Sequence, residues 1–355
     1  MLSLFYFSVV LVLWPYCFYP LVLIILRLGF SKKNLVIEPE ITYELQLFVC
    51  YRTKEELYDT GLFNRVLLAL QDMPELQVHL IGDGIHYTED SPHARLKGYG
   101  FPALGKNLGI LEALKQTEIK ENTVLGFSDA NTIWEPSHLR EMLRWLVCRR
   151  EIGLAGARLE YIEQNHQEAQ HQKRENWFRE AESAIGALAG VSGGLMLIRS
   201  HLMVAVPADW PLDLALPLSL GISGVRSGFV SEIVVKESLS GIVSARRRQR
   251  TISRGLSCSF SLLKRLLISN WLMAFTLLSR KILRFVWILT LPFFCFLFVW
   301  HFLGQEIRLW WILVLPLALW PLLSPRHLSD SCLGLIGAWG NWLRHKSDTT
   351  WTSGH

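Results

Sequence analysis

The sequence predicts an α/β domain on a doubly wound, mainly parallel sheet, flanked by transmembrane helices. Three observations predict it. From Glu44 onward, strand-length apolar runs alternate with amphipathic helical stretches, which implies parallel strands joined by crossover helices. Charged residues are only 19% of the 355-residue chain although 50% are hydrophobic, where a soluble domain averages about 25% charged. That shortfall is confined to the flanks: no Asp, Glu, Lys or Arg occurs from Met1 to Leu26 or from Phe285 to Phe302.

The elements follow in order. Leu2 to Leu26 is long enough to span a hydrocarbon core of roughly 30 Å. It lacks the basic n-region and small-residue cleavage site of a signal peptide, so it reads as an uncleaved anchor kinked at Pro15 and Pro20. ELQLFVC, from Glu44, is a strand, and Glu55 to Gln71 a helix with Leu57, Leu62, Val66, Leu67 and Leu70 on its apolar face. LQVHLIG is the next strand, Lys106 to Lys115 a helix and Thr123 to Ser128 a strand. Pro136 to Val147 is a helix with proline in its first turn; Ile152 to Leu159 and Gly194 to Ile198 are further strands. Ser259 to Leu278 is apolar but carries Lys264, Arg265 and Asn270, which fits an in-plane interfacial helix. Leu283 to Leu303 is a second strong span. Leu309 to Leu323, short and holding Pro316 and Pro321, is either a third span or a re-entrant segment.

The layout is thus an anchor at 1–30, a central domain at 31–255, an interfacial helix at 256–282, two transmembrane helices at 283–324 and a tail at 325–355. Arg27, Lys32 and Lys33, the run Arg246, Arg247, Arg248, Arg250 and Arg254, and Arg326, Arg344 and Lys346 all border apolar segments. The positive-inside rule places them, the central domain and the tail on the cytoplasmic side of the inner membrane. The net charge of +5 resolves into these clusters. Zinc-finger spacing, basic-aromatic interleaving and a helix-turn-helix pattern are all missing, which argues against nucleic acid as a partner. The six cysteines form no close pair, so neither a disulfide framework nor a zinc site is expected. A transporter would need more spans and more intramembrane ionisable residues than His301.

Ligands of open α/β sheets bind beyond the carboxyl ends of the strands. Asp83 closes LQVHLIGDG and Asp129 closes TVLGFSDAN, so two carboxylates recur at such ends. Asp129 and Asn131, two apart in a turn, offer oxygens to a hard divalent cation, which needs only one or two protein ligands when phosphates fill its shell.

The stretch GKNLGILEALKQTEIKENTVLGFSDANTIWEPSHLREML, continued by GALAGVSGGLMLIRSHLM, resembles membrane-bound family 2 glycosyltransferases, among them the synthases of cellulose, hyaluronan and poly-N-acetylglucosamine. The resemblance covers roughly residues 44 to 280, and it rests on the order and spacing of short motifs. It implies a GT-A fold, Mg²⁺ or Mn²⁺, and inverting transfer of a hexose or N-acetylhexosamine. The donor would be a nucleotide-sugar such as a UDP-sugar, and the acceptor a lipid-linked or growing glycan. It places Asp83 at the nucleobase, Lys106 near the nucleotide, and Asp129 with Asn131 at the metal and diphosphate. Asp213 falls on the general base, and Arg250 on the arginine of the family's Gln-x-x-Arg-Trp motif. Membrane lipids, and a homo-oligomer or glycan-synthesis complex, are the implied partners.

The sequence departs from the family pattern at several positions. Tyr51-Arg52-Thr53-Lys54 stands where the family has Ala-x-Asn-Glu, leaving Tyr51 and Glu55 (or Glu56) to make the nucleotide contacts. Asn131 replaces a second Asp, Leu212 an acidic residue, and Arg247 and Thr251 the Gln and Trp of the last motif. These departures leave open a non-catalytic glycosyltransferase-like subunit. The arginine run serves a nucleotide, anionic headgroups, or both; Trp177 either packs the domain or stacks on a sugar; Asp213 is either the base or a helix cap.

Overall fold

The computed structural model describes residues 10–11, 13–30, 42–58, 61–85, 93–163, 167–238, 245–284 and 339. A π-helical turn, Trp14–Phe18, leads into α1 (Tyr19–Phe30). The domain then runs β1 (Glu44–Tyr51), α2 (Lys54–Tyr58), α3 (Leu62–Asp72), β2 (Leu76–Asp83), β3 (Leu96–Phe101), α4 (Lys106–Lys115), β4 (Thr123–Asp129) and α5 (Pro136–Val147). It continues with β5 (Ile152–Tyr161), α6 (Gln167–Ala184), β6 (Leu195–Arg199), α7 (Leu212–Ile222), β7 (Arg226–Glu237), α8 (Ala245–Ser269), α9 (Trp271–Thr276) and a second π-helical turn, Leu277–Ile282.

All seven strands form one sheet in the order β3-β2-β1-β4-β6-β5-β7. β1 pairs in parallel with β2 and β4, β2 with β3, and β5 with β7, whereas β6 is antiparallel to both its neighbours. Helices cover both faces, so β1 is buried along almost its whole length and its residues are apolar at consecutive positions, as parallel strands require. Alternate side chains enter two cores. Leu45, Leu47 and Val49 meet Val66 and Leu70 of α3 and Leu139 and Leu146 of α5. Phe48 and Cys50 face Ile110 of α4, Ala181 of α6, Leu216 of α7 and Leu262 of α8. His79 of β2 lies fully buried in the second core, stacked on Phe48 with ring centroids 4.4 Å apart, its Nδ1 3.2 Å from the Tyr99 hydroxyl. Burial pushes its imidazole down to about 3.

β3 and β7, the two edge strands, are not foreseen by the apolar pattern. LKGYGF holds two glycines and a lysine, and β7 mixes Ser, Glu and Lys into its run; polar edge positions of this kind blunt an otherwise unpaired strand. The helix expected over Glu55 to Gln71 is two helices. Gly61, at φ +68°, precedes the second, a conformation glycine adopts freely.

The N-terminal segment packs against the domain. Tyr19 and Leu23 are fully buried, Tyr19 stacks on Phe178 of α6, and Arg27 pairs with Glu180 at 3.0 Å. Among the described residues no helix is long and apolar enough to cross a membrane. The expected anchor is in its described part helical at 10, 11 and 13, then a π-turn and a helix of 12 residues, the last about 18 Å at 1.5 Å per residue. Residues 1–9, nearly all of the expected spans at 283–324, and the tail apart from 339 lie outside the described residues. Of the cysteines, Cys17, Cys50, Cys148 and Cys258 are free thiols.

Candidate active site

The strand order reverses between β1 and β4, since the chain winds to β2 and β3 on one side of β1 and to β4 on the other. Such a switch point opens a crevice at the carboxyl ends of the strands. Three of the residues singled out from sequence lie there: Asp83 ends β2, Asp129 ends β4, and Tyr51 ends β1.

Asp83 acts on the backbone. Its Oδ1 accepts the amides of Leu104 at 2.7 Å and Gly105 at 2.9 Å, holding the loop that starts α4. Gly105 sits at φ +83°, and the next residue, Lys106, opens the helix. This turn sends the Lys106 ammonium onto Asp129, with Nζ 2.5 Å from Oδ1. Burial depresses the lysine, but Asp129, Cys50 and Asp213 together outweigh it and hold Lys106 above the ordinary lysine range. Among the described residues nothing donates to the second oxygen, Oδ2.

The turn after β4 is braced from several sides. The Thr132 amide closes back on the Asp129 carbonyl, and the Thr132 hydroxyl donates to Glu237 at the end of β7 at 2.7 Å. Trp134 donates its indole N–H to Ser128, whose hydroxyl donates to the Gly194 carbonyl. Asn131 is exposed within this turn.

Because β6 runs antiparallel to β4, with Leu195 opposite Ser128, the residues just before β6 return to the Asp129 end of the sheet. That places Gly193 between the two acids. A Cβ on Gly193 would lie 3.7 Å from Asp213 Oδ2 and 3.8 Å from Asp129 Oδ2. Asp213 stands in the first turn of α7, its backbone carbonyl accepting the Val191 amide at 2.9 Å. Burial raises its carboxyl above the usual aspartate range, and Lys106, Arg179 and Lys281 pull the other way. α4 is tied to the same segment, since the Asn107 amide donates to the Trp210 carbonyl.

The remaining expected residues are placed differently. Tyr51 is buried, its hydroxyl 3.2 Å from where a Cβ on Gly82 would sit. Glu55 is exposed in α2, while Glu56 accepts the Arg52 amide at 2.8 Å. Arg250 is half-buried on α8, which packs along α7; Arg247 belongs to the first turn of α8, and its side chain lies outside the described residues. Trp177 packs edge-to-face on Phe178.

Sequence reasoning missed the charges behind Asp213. Glu175, Arg179 and Glu182 are spaced to share one face of α6 and are all buried, although the helix composition resembles a solvated one. Arg280, 2% exposed, donates to Glu175 at 3.0 Å and to Glu182 at 2.9 Å; Lys281 and Arg284 also reach Glu175, at 3.3 and 2.7 Å. The i, i+4, i+7 spacing of 175, 179 and 182 was the available signal.

No family model matches the chain, and no curated protein matches it. Among solved structures it is similar to a mannosyltransferase from Pyrobaculum calidifontis in complex with GDP-mannose and Mn²⁺. The two are 16% identical with a TM-score of 0.70, covering 97% of this chain and 99% of that one, a likeness of fold. Glucosyl-3-phosphoglycerate synthase from Mycobacterium tuberculosis, in complex with Mn²⁺, UDP and glucosyl-3-phosphoglycerate, is also similar. It is 14% identical, with a TM-score of 0.41 over 62% of this chain and 85% of that chain.

Proposed function

We propose that the chain is an inverting, nucleotide-sugar-dependent glycosyltransferase with Asp213 as its general base. The carrying observation is the convergence of Asp129 and Asp213 on Gly193, beside Lys106 and at the switch point of the sheet. Two carboxylates there have different surroundings. Asp129 is neutralised by Lys106, whereas Asp213 has no hydrogen-bond donor on its side chain among the described residues.

Inverting transfer needs a base that removes the acceptor hydroxyl proton as its oxygen attacks the anomeric carbon. Asp213 takes that proton; the anomeric carbon–oxygen bond to the diphosphate breaks on the opposite side. The leaving group carries away the electron pair, and Lys106 supplies positive charge beside it. The residue types suit a divalent cation: among the described residues nothing donates to Asp129 Oδ2, and Asn131, two residues on and exposed, would add an amide oxygen, with substrate phosphates completing the shell. When bound, Mg²⁺ or Mn²⁺ would act as a Lewis acid on the diphosphate. The mannosyltransferase of like fold carries Mn²⁺ and a nucleotide-sugar, which supports this reading.

The acceptor is proposed to be lipid-linked, met at a membrane surface. Ile25 and Leu28 of α1 and Leu267, Ile268 and Trp271 at the α8–α9 junction are exposed, with Arg27, Lys264 and Arg265 beside them. Exposed apolar side chains with cations next to them in the chain suit an anionic bilayer. Purified full-length protein with Mn²⁺, UDP- and GDP-sugars and extracted lipids should release nucleoside diphosphate. Asp213→Asn should abolish release while sparing nucleotide binding; binding without release from any donor would favour a non-catalytic subunit.

A further inference from the structure

The chain reaches Asp213 through a stretch with few ties of its own. Residues 203–211, MVAVPADWP, join a short 3₁₀ turn (Ser200–Leu202) after β6 to the start of α7, and two prolines deprive them of amide donors. The Trp210 amide closes a turn onto the Pro207 carbonyl, and Pro211 is the N-cap of α7, with no side chain capping the helix. Backbone carbonyls withdrawn from water need donors. Asn107 supplies them here. Its side-chain nitrogen carries two hydrogens, and it donates to the carbonyls of Ala208, at 3.4 Å, and Trp210. Among the described residues these are the only hydrogen bonds that reach 204–210 from another element.

Asn107 belongs to the other half of the site. It follows Lys106, whose ammonium pairs with Asp129 at the end of β4, and the loop before it hangs from Asp83 at the end of β2 through the Leu104 and Gly105 amides. The first turn of α4 lies close on the sheet, since a Cβ on Gly109 would come within 3.2 Å of Ile81. Residues 104 to 107 are thereby fastened in succession to β2, to β4 and to the turn ahead of α7. Asp213 stands three residues beyond Trp210, and its own carbonyl is held by the Val191 amide from the segment before β6. Asn107 thus ties the approach to α7 to the same frame that carries Lys106 and Asp129.

We infer that Asn107 is a positioning residue, which sets the separation between Asp213 and the Lys106–Asp129 pair and so between the acceptor hydroxyl and the anomeric carbon of the donor. This rests on the glycosyltransferase reading with Asp213 as base, and it deepens that reading: a residue of the helix that carries Lys106 governs the chemistry at α7. A base acts only within hydrogen-bond reach of its proton, about 2.6–3.2 Å. A misplacement of about 1 Å costs on the order of 10²-fold in rate.

Asn107→Leu keeps the size of the side chain and removes both N–H groups, whereas Asn107→Gln keeps them on a longer arm. Position 107 is half-buried, and Trp210 retains its packing on the core, so the variants should fold, which urea unfolding checks. Asn107→Ala, a strong helix former, makes the same test should leucine fit poorly. Three measurements are made on the full-length protein with Mn²⁺: turnover of UDP- and GDP-sugars with extracted lipids, calorimetry with UDP and GDP, and amide hydrogen exchange. Asn107→Leu should lower kcat about a hundredfold and leave nucleoside diphosphate affinity within about twofold. Amides of 204–215 should exchange about fivefold faster, with those of 123–131 unchanged. Asn107→Gln should recover part of the turnover. Asn107→Leu turnover within about twofold of the parent overturns the assignment. So does a nucleotide affinity that falls in step with turnover, which would place the effect at Lys106, and so does unchanged exchange over 204–215. A parent that binds nucleotide but releases none from any donor sinks the glycosyltransferase reading instead, and the hold of Asn107 on the turn then stands or falls on the exchange rates.

Discussion

Gly193→Ala adds a single methyl between the two acids and should separate stability from catalysis. The new carbon would lie 3.7 Å from Asp213 Oδ2 and 3.8 Å from Asp129 Oδ2, ordinary contact distances with no overlap. The fold should therefore tolerate it, with unfolding free energy changing by no more than about 1 kcal/mol. On the proposed reading, however, the space it fills is where an acceptor hydroxyl approaches Asp213 and a diphosphate approaches Asp129. Displacing reactants by about 1 Å costs on the order of 10²-fold in rate. Gly156→Ala is the matched control: its Cβ would come within 2.5 Å of Val191 Cβ, a real overlap. Overpacking of that kind costs about 1–3 kcal/mol. Urea unfolding and nucleoside diphosphate release, measured on both variants, give the comparison. Gly193→Ala should unfold like the parent and turn over about a hundredfold more slowly, and Gly156→Ala should lose stability first. A Gly193→Ala variant with unimpaired turnover would refute the proposed placement of the reaction between these carboxylates.

Three other expectations follow from the same geometry. Burial raises Asp213, so the acidic limb of kcat/KM should lie above the ordinary aspartate value of about 3.9, with activity rising as pH rises and the base ionises; a limb at or below that value in a pH–rate profile would contradict it. Glu182→Gln leaves Arg280 buried with half its counter-charge removed and weakens the acceptor of Tyr19, so urea unfolding should show a loss of about 3–5 kcal/mol, and a loss under 1 kcal/mol would count against the network. His79 is held neutral, its pKa of about 3 lying below the unfolded value, so its contribution to stability is complete above about pH 6.5 and falls away as pH drops toward 3. At pH 5 that loss is about 2 kcal/mol, and His79→Phe, which keeps the ring stacked on Phe48, should remove this part of the acid dependence; parallel pH curves for the two proteins would sink the idea.

The central strands and their crossover helices were legible because both faces of β1, β2 and β4 are covered and their residues are mostly apolar, with Leu47 to Tyr51 of β1 unbroken. β3 and β7 were not, since an edge strand carries glycine and charge for reasons unrelated to burial. Asp83, Lys106, Asp129 and Asp213 were visible as residues, and the first three also by place, each adjoining a strand end or helix start. Bringing Asp213 to Asp129 depends on β6 reversing direction, which no local pattern encodes. The charged face of α6 was misleading for a related reason: Glu175, Arg179 and Glu182 resemble a solvated stripe until the partners supplied from residues 280–284, about a hundred residues later, are known.

Tyr19 ties the start of the described chain to Glu182, and Glu182 in turn holds the segment that passes Asp213. The N-terminal helix is therefore no detachable tether. A shortened form beginning near residue 42, made to obtain a more tractable domain, would strip the cover from Phe178 and Phe275 and take a hydrogen bond from a fully buried carboxylate. Loss of activity in such a fragment would then report damage to the floor of the proposed site, and would say nothing about whether the intact protein needs a membrane to work.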